Sequence, residues 1–375
     1  VLKRAGAHLI NDLHVPAIVG PNTSQDTIEL SNSVSVQAGT VLLTPTAVAA
    51  QIAELMDNDL TWLMVPSDQQ RGPLMINQIN QLETELKAAR GKSIMKLGIV
   101  YRDDAVGLGT LRSLNGLIFN GQPLNAAINT GSGGNVSIDG YQFSASNQDP
   151  IVNKYVNFAP DIIVLAGLAE VITTVMNPIE QRWSDAGSER AYYVLTDQVK
   201  GPDLITSTTN MPNLRTRVRG TGLTPGATSV PVQTAFELSY RAKYGVTPTA
   251  SGSGPSYDST YAIAYALAGT RDLPVSGDAI SKGLRKLAGG TAINVGPGSP
   301  LLTAFGKLAA GENITATGTY LPMEWDDKGA VVNGTIEIWC VGLPGTSTTP
   351  AYGSSGLTYD IKTDKTMGAY VQCPP

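Results

Sequence analysis

Between Val15 and Thr46 the chain carries two short apolar runs, each stopping at a proline-containing turn rich in hydroxyl groups. The first reads Val15-Pro16-Ala17-Ile18-Val19-Gly20-Pro21-Asn22-Thr23-Ser24, with helical character resuming at Thr27, Ile28 and Leu30. The second reads Val41-Leu42-Leu43-Thr44-Pro45-Thr46-Ala47 and leads into a helix-forming run from Val48 to Met56. Hydroxyls and unpaired backbone N–H groups at a helix start favour a carboxylate or phosphate, because the helix dipole and the free donors point at it. Two such turns at neighbouring strand ends describe a binding edge of an α/β sheet. Ordinary N-capping by Ser and Thr explains either turn taken alone.

Strand and helix alternate after these two units. Leu60 to Asp68 reads as a strand, Gly72 to Arg90 as a helix, Lys96 to Tyr101 as a buried strand and Leu108 to Phe119 as a helix. Asn120 to Asp149, rich in Gly, Ser and Asn, reads as an irregular excursion. Alternation resumes with a helix ending near Phe158, a strand from Asp161 to Ala166, a helix from Glu170 to Trp183 and a strand from Ala191 to Leu195. This is an α/β pattern with mostly parallel strands. Lys200 to Thr228 reads as loop, and helices follow over Pro231 to Tyr244, Asp258 to Gly269 and Gly277 to Leu287. Tyr320 to Trp325 and Val331 to Val341, separated by Asp326-Asp327-Lys328-Gly329, read as a hairpin.

At 375 residues the chain suggests two lobes. A hydrophobic content of 42% excludes disorder, and a net charge of −5 with mixed signs excludes a basic nucleic-acid or membrane surface. No window reaches the roughly 18 uninterrupted apolar residues of a membrane span. The first residues, with apolar side chains at Leu2, Ala5, Leu9 and Leu13, read as the interior of an amphipathic helix without a start methionine or cap, hence a processed or truncated piece. Cys340 and Cys373 have neither zinc-ligand spacing nor a C-x-x-C motif. A disulfide tying down the tail in an oxidising compartment and two unpaired thiols both stand.

Catalytic motifs are missing. There is no Gly-x-Ser-x-Gly elbow and no Walker loop, and His8 and His14 do not match a zinc helix. Gly107-Leu108-Gly109 opens a helix after a strand, but Arg112 occupies the third glycine position of a dinucleotide fingerprint, so close turn packing explains it better. No cofactor and no metal are expected.

Further pieces fall in a fixed order: Pro66-Ser67-Asp68 with Gly72, Leu97-Gly98-Ile99-Val100-Tyr101-Arg102-Asp103-Asp104 with Gly107 and Gly109, Pro160-Asp161-Ile162-Ile163-Val164-Leu165, Ser256-Tyr257-Asp258-Ser259-Thr260-Tyr261, and the Trp325 to Gly329 turn. Together with Ala17 to Ser24 and Leu43 to Ala47, the sequence resembles the type 1 periplasmic binding proteins, specifically the leucine/isoleucine/valine-binding-like substrate-binding subunits of ABC transporters. The resemblance implies two doubly wound, Rossmann-like lobes joined by three crossings. Lobe one would hold 1–94 plus 223–334 and lobe two 95–222 plus 335–375, with the first βαβ unit of lobe one missing from this chain.

It also implies a ligand set. Ser24, beside Thr23, and Ala47 and Val48, beside Thr46, fall at the positions that hold a ligand carboxylate, although Val48 brings no hydroxyl. Asp68 lies in a matched strand-end piece and Val106 stands where an aromatic is expected. Gly167 and Leu168 match a contact from the second lobe, Asp197 an acidic position that meets an ammonium group, and Tyr257 an aromatic wall. The function implied is a non-enzymatic receptor at the periplasmic or extracellular face of a bacterial membrane. It would enclose a small polar, carboxylate-bearing solute (an amino acid, amide or related compound) between its lobes for an ABC permease, with a lipid anchor possible through the missing N-terminus. A sensor or scaffold lipoprotein of the same fold is the alternative, favoured by Val48, Val106 and the long excursion; a nicotinamide-dependent enzyme comes third.

Overall fold

The structure is a computed structural model that describes residues 2–124, 134–144, 148–183, 189–248, 250, 252–270 and 274–374. Strands run over Ala17–Val19 (β1), Val41–Thr44 (β2), Thr61–Leu63 (β3), Leu97–Arg102 (β4), Ile118–Phe119 (β5), Gln122–Pro123 (β6) and Val136–Tyr141 (β7). They continue over Ile162–Ala166 (β8), Tyr192–Leu195 (β9), Val218–Thr224 (β10), Thr291–Asn294 (β11) and Ile314–Thr317 (β12). The last are Thr335–Gly342 (β13), Ala351–Asp360 (β14) and Lys365–Met367 (β15). Two compact units result: Val1–Ser67 with Leu223–Thr335 and Asp360–Asp364, and Asp68–Gly222 with Ile336–Tyr359 and Lys365–Pro375.

In the first unit β1, β2 and β3 form a parallel sheet, registered Ile18 to Leu42 and Leu43 to Trp62. β11 and β12 pair in parallel beside a helix, Ser299–Ala309, in a stretch where the sequence offered no reading. Val41, Leu43, Trp62, Tyr265, Ile280 and Leu308 share one core. The Val48 to Met56 helix is only a 3-10 turn, Ala50–Glu54. The N-terminal segment is helical, but Gly6 and Ile10 are its buried residues while Leu13 is exposed, so its inner face is not the one the apolar spacing marks. Gly6 is there because a Cβ would lie 2.3 Å from Leu30 Cδ1.

The second unit is built on one sheet of order β15-β14-β13-β10-β9-β8-β4-β7, with β10–β9, β9–β8, β8–β4 and β4–β7 parallel. Its strands alternate between two cores: Ile163, Leu165, Tyr193 and Leu195 point to one, Ile162, Val164 and Val194 to the other. A parallel sheet buried on both faces reads as a continuous apolar run for this reason.

Two expectations need correction here. The helix Asp68–Arg90 lies in the second unit, not with 1–94, because Met75, Ile79, Leu82 and Leu86 share a core with Leu97, Ile99 and Val164. Arg90 also pairs with Asp161 at 2.5 Å. Asp360–Asp364 in turn joins the first unit, through Ile361 N–H to Gly334 O (3.0 Å) and Lys362 to Glu324 (2.9 Å). The second correction is Lys200 to Thr228, which is structured: helices Pro202–Asn210 and Pro212–Arg215 each begin at a proline, and β10 follows. Gly220 makes room rather than a turn, since a Cβ there would lie 2.1 Å from Trp339 Cζ2.

Smaller adjustments follow the same logic. The helix after β4 is Ala105–Ser113, and the one after β8 opens with a wide turn, Ile172–Met176, before Asn177–Arg182. The hairpin reduces to a single antiparallel bridge, Trp325 to Val331, because its second arm continues into β13 of the other unit. Of the Asn120 to Asp149 excursion, 125–133 and 145–147 lie outside the described residues, and the remainder includes β6 and β7.

Candidate functional site

Because β1, β2 and β3 are parallel, their carboxyl ends line one edge of the first unit's sheet, where doubly wound sheets take ligands. Gly20-Pro21, a cis peptide, follows β1, and Thr44-Pro45 follows β2. Side chains lace the two turns together. Thr44 Oγ1 donates to Pro21 O (2.7 Å) and Thr46 Oγ1 to Asn22 O (2.5 Å). Ser24 Oγ accepts from both Val48 N–H (3.2 Å) and Ala49 N–H (3.1 Å), and Thr44 Oγ1 accepts from Ala47 N–H (3.2 Å). Thr23 caps the helix Ser24–Leu30 by accepting from Asp26 N–H at 3.2 Å.

This arrangement corrects the picture of an open anion cradle. The N–H groups of Ala47, Val48 and Ala49 all have acceptors, and Ser24 has no exposed area. Buried backbone donors must be paired, and the hydroxyls of Ser24 and Thr44 pair them. Thr23 and Thr46 are half-buried.

Tyr257 sits on the helix Ser253–Thr270 within an aromatic row, 5.0 Å from Phe236 and 4.8 Å from Tyr261 between ring centroids. Burial pushes its phenol far above the ordinary tyrosine range. One turn position away lies a group that sequence reading missed. Asp258 is buried, its Oδ2 accepts from Thr319 N–H (2.8 Å) and Oγ1–H (2.7 Å), and its Oδ1 has no partner among the described residues. Burial pushes this carboxyl up to about 7, against the pull of the Thr319 donors.

In the second unit, Asp68 begins the helix Asp68–Arg90 and its Oδ1 accepts from Gln69 N–H at 2.7 Å. Asp197, just past β9, is ion-paired with Arg71 of that helix at 2.6 Å, so its charge already has a protein partner. Val106 is buried in the first turn after β4, where Asp104 caps its N–H. Gly107 is held by close packing, with a Cβ there only 2.2 Å from Arg102 O. Gly167 and Leu168 follow β8, and a Cβ on Gly167 would meet Tyr141 Oη at 2.1 Å.

A polar cluster gathers at the ends of β4, β7 and β8. Arg102 pairs with Asp104 (2.6 Å) and reaches Glu170 (3.4 Å), while Tyr141 Oη–H donates to Glu170 (2.9 Å). Phe143 covers the Arg102 guanidinium at 4.4 Å. β4 is flanked by β7 and β8, reached by connections in opposite directions, so the cluster stands at the topological switch point of this sheet. His8 and His14 are exposed, His8 beside Asp12 at 2.7 Å, and neither joins a site.

No protein-family model matches the sequence, and no curated protein matches it. Solved structures do. A leucine-binding protein, LivK, from Thermotoga maritima MSB8 aligns with a TM-score of 0.63 at 16% identity, covering 97% of this chain and 84% of that chain. The branched-chain amino acid transporter substrate-binding protein LivJ from Streptococcus pneumoniae, in complex with isoleucine, gives 0.60 at 15% identity over 94% of this chain and 83% of its own. A solute-binding protein of an ABC transporter from Rhodopseudomonas palustris BisB5, in complex with 3,4-dihydroxybenzoic acid, gives 0.61 at 15% identity over 99% and 84%. The fold is that of the type 1 periplasmic binding proteins.

Proposed function

We propose that this chain is a solute-binding receptor, not an enzyme, which takes a small carboxylate-bearing solute and delivers it to an ABC permease outside the cytoplasm. The observation that carries the reading is the carboxyl edge of the first unit's sheet, where Ser24, Thr44 and Thr46 bond the turns after β1 and β2 into one preorganised platform. The fold supports a receptor, since the matched structures are binding proteins. Isoleucine and 3,4-dihydroxybenzoic acid, bound by two of them, share a carboxylate and only one has an amine. With Asp197 neutralised by Arg71, an amine on the solute is not required.

A thermal-shift panel tests this: branched-chain amino acids, their amides, their 2-oxo acids and hydroxybenzoates. A ligand at 100 times its Kd stabilises by about 2.7 kcal/mol. Carboxylates should raise Tm with or without an amine, and the amides should not. Amides that match the acids would remove the carboxylate from the proposal. No response to any member would favour a sensor or scaffold of the same fold, a reading that the fully bonded N–H groups of Ala47 to Ala49 already encourage.

A further inference from the structure

After β15, whose residues are all exposed, the tail turns back over β14, β13 and β10, which are neighbours in the second unit's sheet. Glycines of the sheet and of the tail itself let the two approach closely. A Cβ on Gly342 would lie 2.4 Å from Pro374 O, one on Gly353 3.0 Å from Cys373 Sγ, and one on Gly368 2.1 Å from Gly356 O. Besides the pairing of β15 with β14, main-chain bonds run from Val371 N–H to Ser355 O (2.9 Å) and from Leu343 N–H to Pro374 O (2.9 Å). The disulfide Cys340–Cys373 fastens its end.

Midway along this track the Tyr370 ring covers Arg219 of β10, with the guanidinium carbon 3.9 Å from the ring centroid, and Tyr192 stands at 5.9 Å. Tyr370 Oη also bonds Gln372 Oε1 at 2.6 Å. Arg219 is 5% exposed. Its Nη2 donates to Glu85 (3.1 Å), while Nε and Nη1 have no acceptor among the described residues. A buried cation with unused donors gains by meeting water or an acceptor, so the cover over it is under a standing bias to lift.

We propose that residues 365–374 form a releasable strap locked by the Cys340–Cys373 bond, and that a dithiol reductant unlocks it and uncovers Arg219. Cys340 has no exposure and Cys373 has 6%, so the reductant's thiolate attacks Cys373 Sγ. That step forms a mixed disulfide on Cys373 and expels the Cys340 thiolate, which takes up a proton. The reductant's second thiol then closes its own disulfide and releases Cys373 as a thiol, two electrons having passed to the protein.

Hydrogen exchange on the full chain, with and without dithiothreitol, gives the first readout. The amides of 365–374 should exchange about tenfold faster or more after reduction and well ahead of peptides from β8 and β9, which still open only by global unfolding. Phenylglyoxal labelling gives the second: Arg219 should be modified in the reduced protein and spared in the oxidised one. Tyr370→Leu, which keeps the disulfide, should also open Arg219 to the reagent. Unchanged tail protection on reduction would overturn the strap, as would simultaneous loss of protection throughout the second unit. An Arg219 that stays unlabelled in both the reduced protein and Tyr370→Leu would show that the tail is not its cover.

Discussion

Arg71 Nη1 lies 2.6 Å from Asp197 Oδ2, joining the first turn of the helix Asp68–Arg90 to the end of β9 within the second unit. Both side chains are nearly buried, at 8% and 13% exposure, so the pair is largely shielded from water. Removing one partner of a buried pair costs more than the pair itself contributes. Asp197→Asn should therefore cost about 3–5 kcal/mol in urea unfolding, and Arg71→Met with Asp197→Leu should recover most of it. An Asp197→Asn protein of unchanged stability would mean that the ion pair does not form.

Ser24→Ala tests the platform. The substitution leaves the N–H groups of Val48 and Ala49 without their acceptor, at about 1–3 kcal/mol for each. A stability loss of this size is expected by denaturation. Affinity for any solute found in the thermal panel should fall with it, because Ser24 positions the turn. Wild-type stability would remove Ser24 from its bracing role.

The disulfide makes a direct prediction. Thiol counting on denatured, unreduced protein should find no free thiol, since Cys340 and Cys373 are the two cysteines of the chain. Their sequence separation of 33 closes a loop whose removal should cost about 4 kcal/mol on the chain-entropy account. Two titratable thiols would contradict the bond.

Asp258 sets a pH dependence. Its carboxyl titrates near 7 in the folded chain against 3.8 when unfolded. Below the lower value it is protonated in both states and its contribution to stability is fully present. Between the two values unfolding releases a proton, so stability falls as pH rises, by about 1.4 kcal/mol for each unit of the gap. The fall is complete above about 7. Asp258→Asn, which keeps an oxygen for the Thr319 donors, should flatten the urea midpoint across this window; an unaltered slope would assign it to other groups.

Much of the architecture could be read from local pattern. The apolar runs became β2, β4, β8 and β9 because a strand buried on both faces needs no polar alternation, and the two lone cysteines became a bond. What escaped depends on partners distant in the chain. Arg71 reaches Asp197 across 126 positions, and Ser24 meets the N–H groups of Val48 and Ala49 across 24 and 25. The glycines of β10 resemble loop residues until Trp339 supplies the reason for them. Arg102 ends a strand that the sequence marks, but Glu170 belongs to no motif, and only the adjacency of β4 and β8 brings them together.

That same Trp339 slot governs how the protein must be made. β10 lies between β9, its predecessor in the chain, and β13, which begins only at Thr335. Until β13 is in place the sheet stops at β10, an open apolar edge with an indole-shaped gap at Gly220. A second unit that folds before residues 335–342 return to it thus lacks an inner strand, and β10 is the edge at which another chain could pair.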